Sequence, residues 1–210
     1  MIINSKERTH IIGNSFDFCW VVALRAEAAP IIEFFDMKIL SNDLLFPIYY
    51  NQVTGHALVI SGIGAIKSAS AATFMKARLS IKNHVAWINI GIAGYFQDSI
   101  GQLLQAVKVT AKDTKKTFSP GLRFSRIVKS SSLITVPQME KDYADRTLYD
   151  MEAAGFCEIC PSLSCNELTF VFKVVSDSPN HSSVKLLKRI VSNLIENQLA
   201  KVFEISREIS

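Results

Sequence analysis

Val85-Ala86-Trp87-Ile88-Asn89-Ile90 runs directly into Gly91-Ile92-Ala93-Gly94. A short apolar run of this kind, ended by glycines, reads as a strand buried on both faces. Working outward, Cys19 to Leu24, His56 to Ile60 and Leu168 to Val175 repeat the pattern, and Phe46 to Tyr50 and Leu103 to Thr110 read as further strands. Between them lie helical stretches. Arg25 to Phe35 spaces Ala28, Ile31, Ile32 and Phe35 on one face, with Pro30 early enough for a first turn to tolerate. Ala65 to Leu79 is rich in Ala and Ser and suits close packing on a sheet, and Met151 to Cys160 is a third helix. Pro137 to Ala144 reads as a short helix, and Ser182 to Arg207 as one amphipathic helix. Strands alternating with helices predict an α/β sandwich around a mostly parallel sheet.

Composition agrees. The chain has 210 residues, 49% of them apolar and 20% charged, with a net charge of +4. That is one domain's worth of chain with a sizeable core, and it excludes disorder and low-complexity architectures. Residues 1–18 read as a peripheral extension of a single domain over 1–210. No run approaches the roughly 18 apolar residues of a spanning helix, which argues against membrane insertion. The first ten residues lack a secretory pattern, so the expected compartment is the cytoplasm and the four thiols (Cys19, Cys157, Cys160, Cys165) are expected reduced. Cys157 and Cys160 have no second ligand pair nearby and read as small apolar residues on a helix rather than as a metal site. The basic stretch from Lys108 to Arg126 has few aromatics and reads as solvated rather than as a nucleic-acid surface.

In open α/β sheets ligands gather beyond the carboxyl ends of strands. Those ends carry Arg25 to Glu27, Ser61 to Gly64, Gly91 to Gly94 and Ser176-Asp177. Gly62-Ile63-Gly64 before a helix is either an anion cradle or a plain turn. Desolvation favours a protonated carboxyl, the form a general acid needs, and Asp177 closes an apolar strand; equally, Asp177 fits a helix N-cap. Glu152 and Glu27 each read as first-turn helix acids or as site carboxylates.

Four segments taken in order resemble one family. Ser61-Gly62-Ile63-Gly64, Asn89-Ile90-Gly91-Ile92-Ala93-Gly94, Met151-Glu152-Ala153 and Val175-Ser176-Asp177 resemble the motifs of the purine nucleoside phosphorylase and nucleosidase superfamily. The nearest look is to 5'-methylthioadenosine/S-adenosylhomocysteine nucleosidases, over Trp20 to Thr110 and Asp150 to Leu199. The resemblance implies a three-layer α/β/α sandwich with a mixed, mostly parallel twisted central sheet. It implies a homodimer that cleaves the bond between ribose and a purine without a metal or organic cofactor. Asp177 would serve the leaving base as general acid, Glu152 would bind the ribose hydroxyls, and Met151 would pack on the sugar. Ser61 and Glu27 would position water, with Glu27 as base; Ala93, Gly94, Leu133 and Ile134 would line the base pocket. A phosphorylase would instead take phosphate as co-substrate on Arg25 and Gly62, and a non-catalytic relic would bind a nucleoside without turnover. The chain departs from the family at Tyr95, at Gly101-Gln102 and in a shortened stretch from Lys112 to Leu133.

Overall fold

A computed structural model describes residues 16–40, 45–140, 143, 146–180 and 187–209. β1 (Phe18–Val22) leads into α1 (Arg25–Phe34), followed by β2 (Lys38–Ile39), β3 (Ile48–Asn51), β4 (His56–Ile60) and α2 (Ala65–Leu79). β5 (Ala86–Tyr95), β6 (Leu103–Ala111), β7 (Thr117–Phe118), β8 (Lys129–Thr135) and β9 (Thr147–Asp150) precede α3 (Ala153–Leu163). A 3-10 turn enters β10 (Thr169–Asp177), and α4 (Lys188–Glu196) and α5 (Leu199–Ile209) follow.

Side chains alternate along the strands and feed two cores. Cys19 and Val21 of β1, Trp87 of β5, and Val171 and Val175 of β10 meet Ala71, Met75, Phe156 and Cys160 of α2 and α3. Phe18, Trp20 and Val22, Ile88 and Ile90, and Phe170, Phe172 and Val174 meet Ile31 of α1, Ile195 of α4, and Val202 and Ile205 of α5. Helices therefore cover both faces, as period-two strands buried on each side require. Cys19, Cys157 and Cys160 are buried free thiols in the first core, as small apolar residues.

The expected sandwich needs a correction. β5, β10, β6, β8 and β9 pair in a closed ring, so the sheet ends in a five-stranded barrel instead of an open edge. β1, β4, β3 and β2 extend from β5 as the open part. The sheet is also not mostly parallel: among the described strands five pairings are parallel and five antiparallel.

β5 makes the closure possible. It pairs with β1 through Ala86–Asn89, with β10 as far as Gly94, and with β9 at Gly94 and Tyr95. Gly91 to Gly94, expected to end the strand, continue it instead. Glycines inside a strand mark a bend or a close approach, and here they mark both the closing strand and the site.

Other expectations shift too. Residues 137–140 are not helical, and most of the remainder of that predicted helix lies outside the described residues. The predicted C-terminal helix is two, divided at Asn197-Gln198, where Gln198 Nε2 donates to the Gly101 carbonyl at 2.9 Å; residues 182–186 lie outside the described residues. Phe16 and Phe18, placed by expectation in a peripheral extension, are core residues, while 1–15 lie outside the described residues. In the basic stretch Lys112 pairs with Glu140, and Lys116 with Glu158 at 2.6 Å. No described helix is long and apolar enough to cross a membrane.

Candidate functional site

Glu27 and Glu152 interact near β5, and Asp177 is in register with Gly94 further along the same strand. Glu27 lies in the first turn of α1, where its Oε2 accepts from the Leu24 N–H at 2.8 Å, half of a capping box. Its Oε1 accepts from the Ile92 N–H on β5 at 2.9 Å, so the side chain bridges α1 and β5 and is 2% exposed. Burial pushes the Glu27 carboxyl up, against these two N–H groups and the nearby Lys173 ammonium. Gly91 makes the room: a Cβ there would come within 2.9 Å of Glu27 Oε1.

Glu152 sits at the N-cap of α3, yet its carboxylate turns away from its own helix. Oε1 accepts from the Gly64 N–H, at the N-terminus of α2, at 2.9 Å, and Oε2 from the Met151 N–H at 3.3 Å. Burial first, then the charge of Asp150, raises the Glu152 carboxyl to about 7, against Lys173 and the Gly64 N–H. Gly64 holds φ +118, a conformation that L side chains rarely adopt.

Asp177 ends β10 opposite Gly94, just after a register shift at Val175/Asp177. Such an irregularity re-aims a side chain. Asp177 Oδ1 accepts from Ser176 Oγ at 2.5 Å, and Oδ2 accepts from the Tyr143 hydroxyl. Ile92 and Gly94 are two residues apart, about 6.6 Å along a strand, so β5 sets Glu27 and Asp177 at neighbouring stations.

Two residues missed by sequence reasoning organise the centre. Lys173 of β10 is 1% exposed and its Nζ lies 2.8 Å from Asp150 Oδ2. Asp150 also accepts from Thr135 Oγ1 at 2.7 Å and from the Ala153 N–H at 2.9 Å, which ties it to β8 and to the start of α3. Burial opposes the Lys173 charge, but Asp150, Glu152 and Glu27 outweigh it and hold its pKa above the ordinary value. Lys173 is in register with Gly91, so the cation and Glu27 flank the same glycine. A lone lysine inside the apolar run Leu168 to Val175 was the available signal.

The remaining expected residues divide. Ser61 is buried at the end of β4 and donates to the Gly62 carbonyl at 2.8 Å. Met151 and Ile134 are half-buried against a third apolar cluster of Val136, Tyr143 and Tyr149, the same cluster whose Tyr143 reaches Asp177. Gly94 lies beneath that tyrosine, where a Cβ would overlap the phenol. Ala93 is buried, and its carbonyl accepts from Ser176 Oγ at 3.2 Å. Leu133 is fully buried in the main core and offers no surface to a ligand. Arg25 is exposed at the start of α1, and Gly62 holds φ +78 in the turn before α2.

This closed mixed barrel with helices on both faces has counterparts among solved structures. The fold is that of the 5'-methylthioadenosine nucleosidases. The apo form of Arabidopsis thaliana 5'-methylthioadenosine nucleosidase superposes with a TM-score of 0.77 at 15% identity, over 94% of this chain and 97% of that one. Campylobacter jejuni 5'-methylthioadenosine/S-adenosylhomocysteine nucleosidase gives 0.73 at 16% identity, over 93% and 100% of the two chains. Helicobacter pylori futalosine hydrolase gives 0.73 at 13% identity, over 92% and 98%. No family model and no curated protein sequence matches the chain. The nucleosidase fold thus accounts for the order of the four motifs: in this chain they supply the end of β4 with its turn, β5, the start of α3 and the end of β10.

Proposed function

We propose that the chain is an N-ribosyl hydrolase acting on a purine nucleoside of the 5'-methylthioadenosine or S-adenosylhomocysteine kind. The observation that supports this reading is Glu27 and Glu152 interacting near β5 with Asp177 in register further along that strand, and Met151 and Ile134 on the apolar cluster whose Tyr143 donates to Asp177. Cleavage of an N-glycosidic bond builds positive charge on the ribose and negative charge on the base. Glu152 accepts hydrogen bonds from the ribose hydroxyls, which its raised pKa still permits at and above neutrality. Glu27 takes a proton from the attacking water, a task suited to a carboxyl whose proton affinity burial has increased. The oxygen of that water bonds to the ribose C1', the C1'–N bond breaks, and its electron pair leaves with the base. Asp177 donates a proton or hydrogen bond to the departing ring.

Water suits this site better than phosphate. The Gly64 N–H, one of the donors that a phosphate at the start of α2 would use, is already taken by Glu152. The buried centre holds three carboxylates, Glu27, Asp150 and Glu152, against one lysine, a field that disfavours an anion.

The test is adenine release by the purified full chain from 5'-methylthioadenosine and from S-adenosylhomocysteine, with and without inorganic phosphate. Hydrolysis predicts release in water alone and a loss of about a hundred- to ten-thousand-fold in Asp177→Asn. Release only with phosphate reassigns the chain as a phosphorylase. Tight nucleoside binding without release under either condition reassigns it as a binding protein.

A further inference from the structure

Tyr143 is built into the site and no step above uses it. Its ring lies against Tyr149, with centroids 5.2 Å apart, in the apolar cluster that also borders Met151 and Ile134. Its hydroxyl donates to Asp177 Oδ2, while Ser176 Oγ takes the other carboxylate oxygen. Gly94 beneath it has no side chain, and any Cβ there would overlap the phenol. Burial, and then the Asp177 carboxylate, push the phenol pKa up, so the hydroxyl keeps its proton and stays a donor. An aromatic ring on an apolar wall, offering one hydrogen-bond donor to Asp177, is what the released base would itself present once the proton from Asp177 sits on it as an N–H.

We propose that Tyr143 occupies the leaving-base position on Asp177 in the ligand-free protein and is a specificity-determining residue, which a heterocycle must displace to reach its acid. The proposal rests on the purine-nucleoside reading above. Displacement takes part of the ligand's affinity, because only the fraction of molecules with Tyr143 withdrawn is competent to bind. It also selects: a ring that cannot replace the lost hydrogen bond leaves Asp177 Oδ2 without that donor and binds poorly.

The experiment is adenine binding by titration calorimetry to the full chain, with Tyr143→Phe, Asp177→Asn and the double variant. Tyr143→Phe keeps the ring and removes only the donor, and a thermal melt checks that each variant folds. The expected result is about tenfold tighter adenine binding in Tyr143→Phe, the worth of one hydrogen bond to a charged group. That gain should vanish in the Asp177→Asn background. Adenine binding that is unchanged or weakened by Tyr143→Phe overturns the proposal and leaves the functional reading intact. Adenine binding that is absent from the wild-type chain and from every variant overturns both.

Discussion

Lys173 Nζ lies 2.8 Å from Asp150 Oδ2 in a pair almost wholly removed from water. Removing both partners of such a pair is often tolerated, but removing one strands a charge. Here the stranded charge would be Asp150, with Glu27 and Glu152 close enough to interact with the same cation. Lys173 is therefore the shared counter-ion of Asp150, Glu152 and Glu27, and its position opposite Gly91 ties the barrel's electrostatics to the carboxylate that takes the water's proton in the proposed reaction.

Lys173→Met should destabilise the protein by about 3–5 kcal/mol, measured by urea unfolding. Adding Asp150→Asn should restore much of that loss, since an amide still accepts from Thr135 Oγ1 and the Ala153 N–H. Equal stability of the single variant and the wild type would mean that the lysine contributes nothing as a cation.

Glu152→Gln should stabilise the protein at pH 8. The Glu152 carboxyl is raised in the folded state from 4.5 to about 7. Its contribution is thus fully present below pH 4.5 and lost as pH rises through about 7. At pH 8 the ionised, buried carboxylate costs stability on the order of 3 kcal/mol, which the amide would not. Below pH 4.5 the two proteins should converge. The same variant should bind nucleoside less well at pH 8, the usual opposition between a strained site and a stable fold. Chemical denaturation at pH 4 and pH 8 measures the first part, and nucleoside titration the second.

The strand and helix order was legible wherever one period dominated. α2 has the predicted bounds Ala65 to Leu79, because an Ala- and Ser-rich amphipathic run has one solution. The carboxylates stand where local signals placed them, Asp177 at a strand end and Glu27 and Glu152 at helix starts. What escaped was long-range. Gly91 and Gly94 look like a strand end locally, and only pairing with β10 and β9 makes them strand. The barrel depends on β8 and β9, short and partly polar strands without a clean alternation. Lys173 was visible as a charge among apolar residues, but its partner Asp150 sits on another strand, beyond the reach of any periodicity. Tyr143 carried no sequence signal, since its role comes from Gly94 and Asp177.

His56 gives the fold an acid limit independent of the site. Its ring is stacked at 3.9 Å on Phe35 and accepts from Trp20 Nε1 at 3.0 Å through Nδ1. Burial lowers its pKa from 6.5 to about 4. The folded state therefore binds fewer protons, and the stability that His56 contributes is present above pH 6.5 and lost as pH falls towards 4. The loss should be on the order of 3 kcal/mol across that window. His56→Gln, which keeps an acceptor for the indole, should show a flatter profile in denaturation series between pH 4 and 7.

Two glycines separate clash from strain. Gly91→Ala puts a methyl group within 2.9 Å of Glu27 Oε1, while Gly64→Ala meets nothing within 4 Å but must hold φ +118. The first should displace Glu27 from the Ile92 N–H and lower adenine release about tenfold or more, a sub-ångström error at the carboxylate that takes the water's proton in the proposed reaction. The second should act mainly through backbone strain, costing about 1–3 kcal/mol of stability. Urea unfolding and adenine release, measured on both variants, should therefore rank them in opposite orders. If both lose stability and activity in the same proportion, Glu27 has no role beyond capping α1 and tying it to β5. In that case its two backbone hydrogen bonds explain its burial completely.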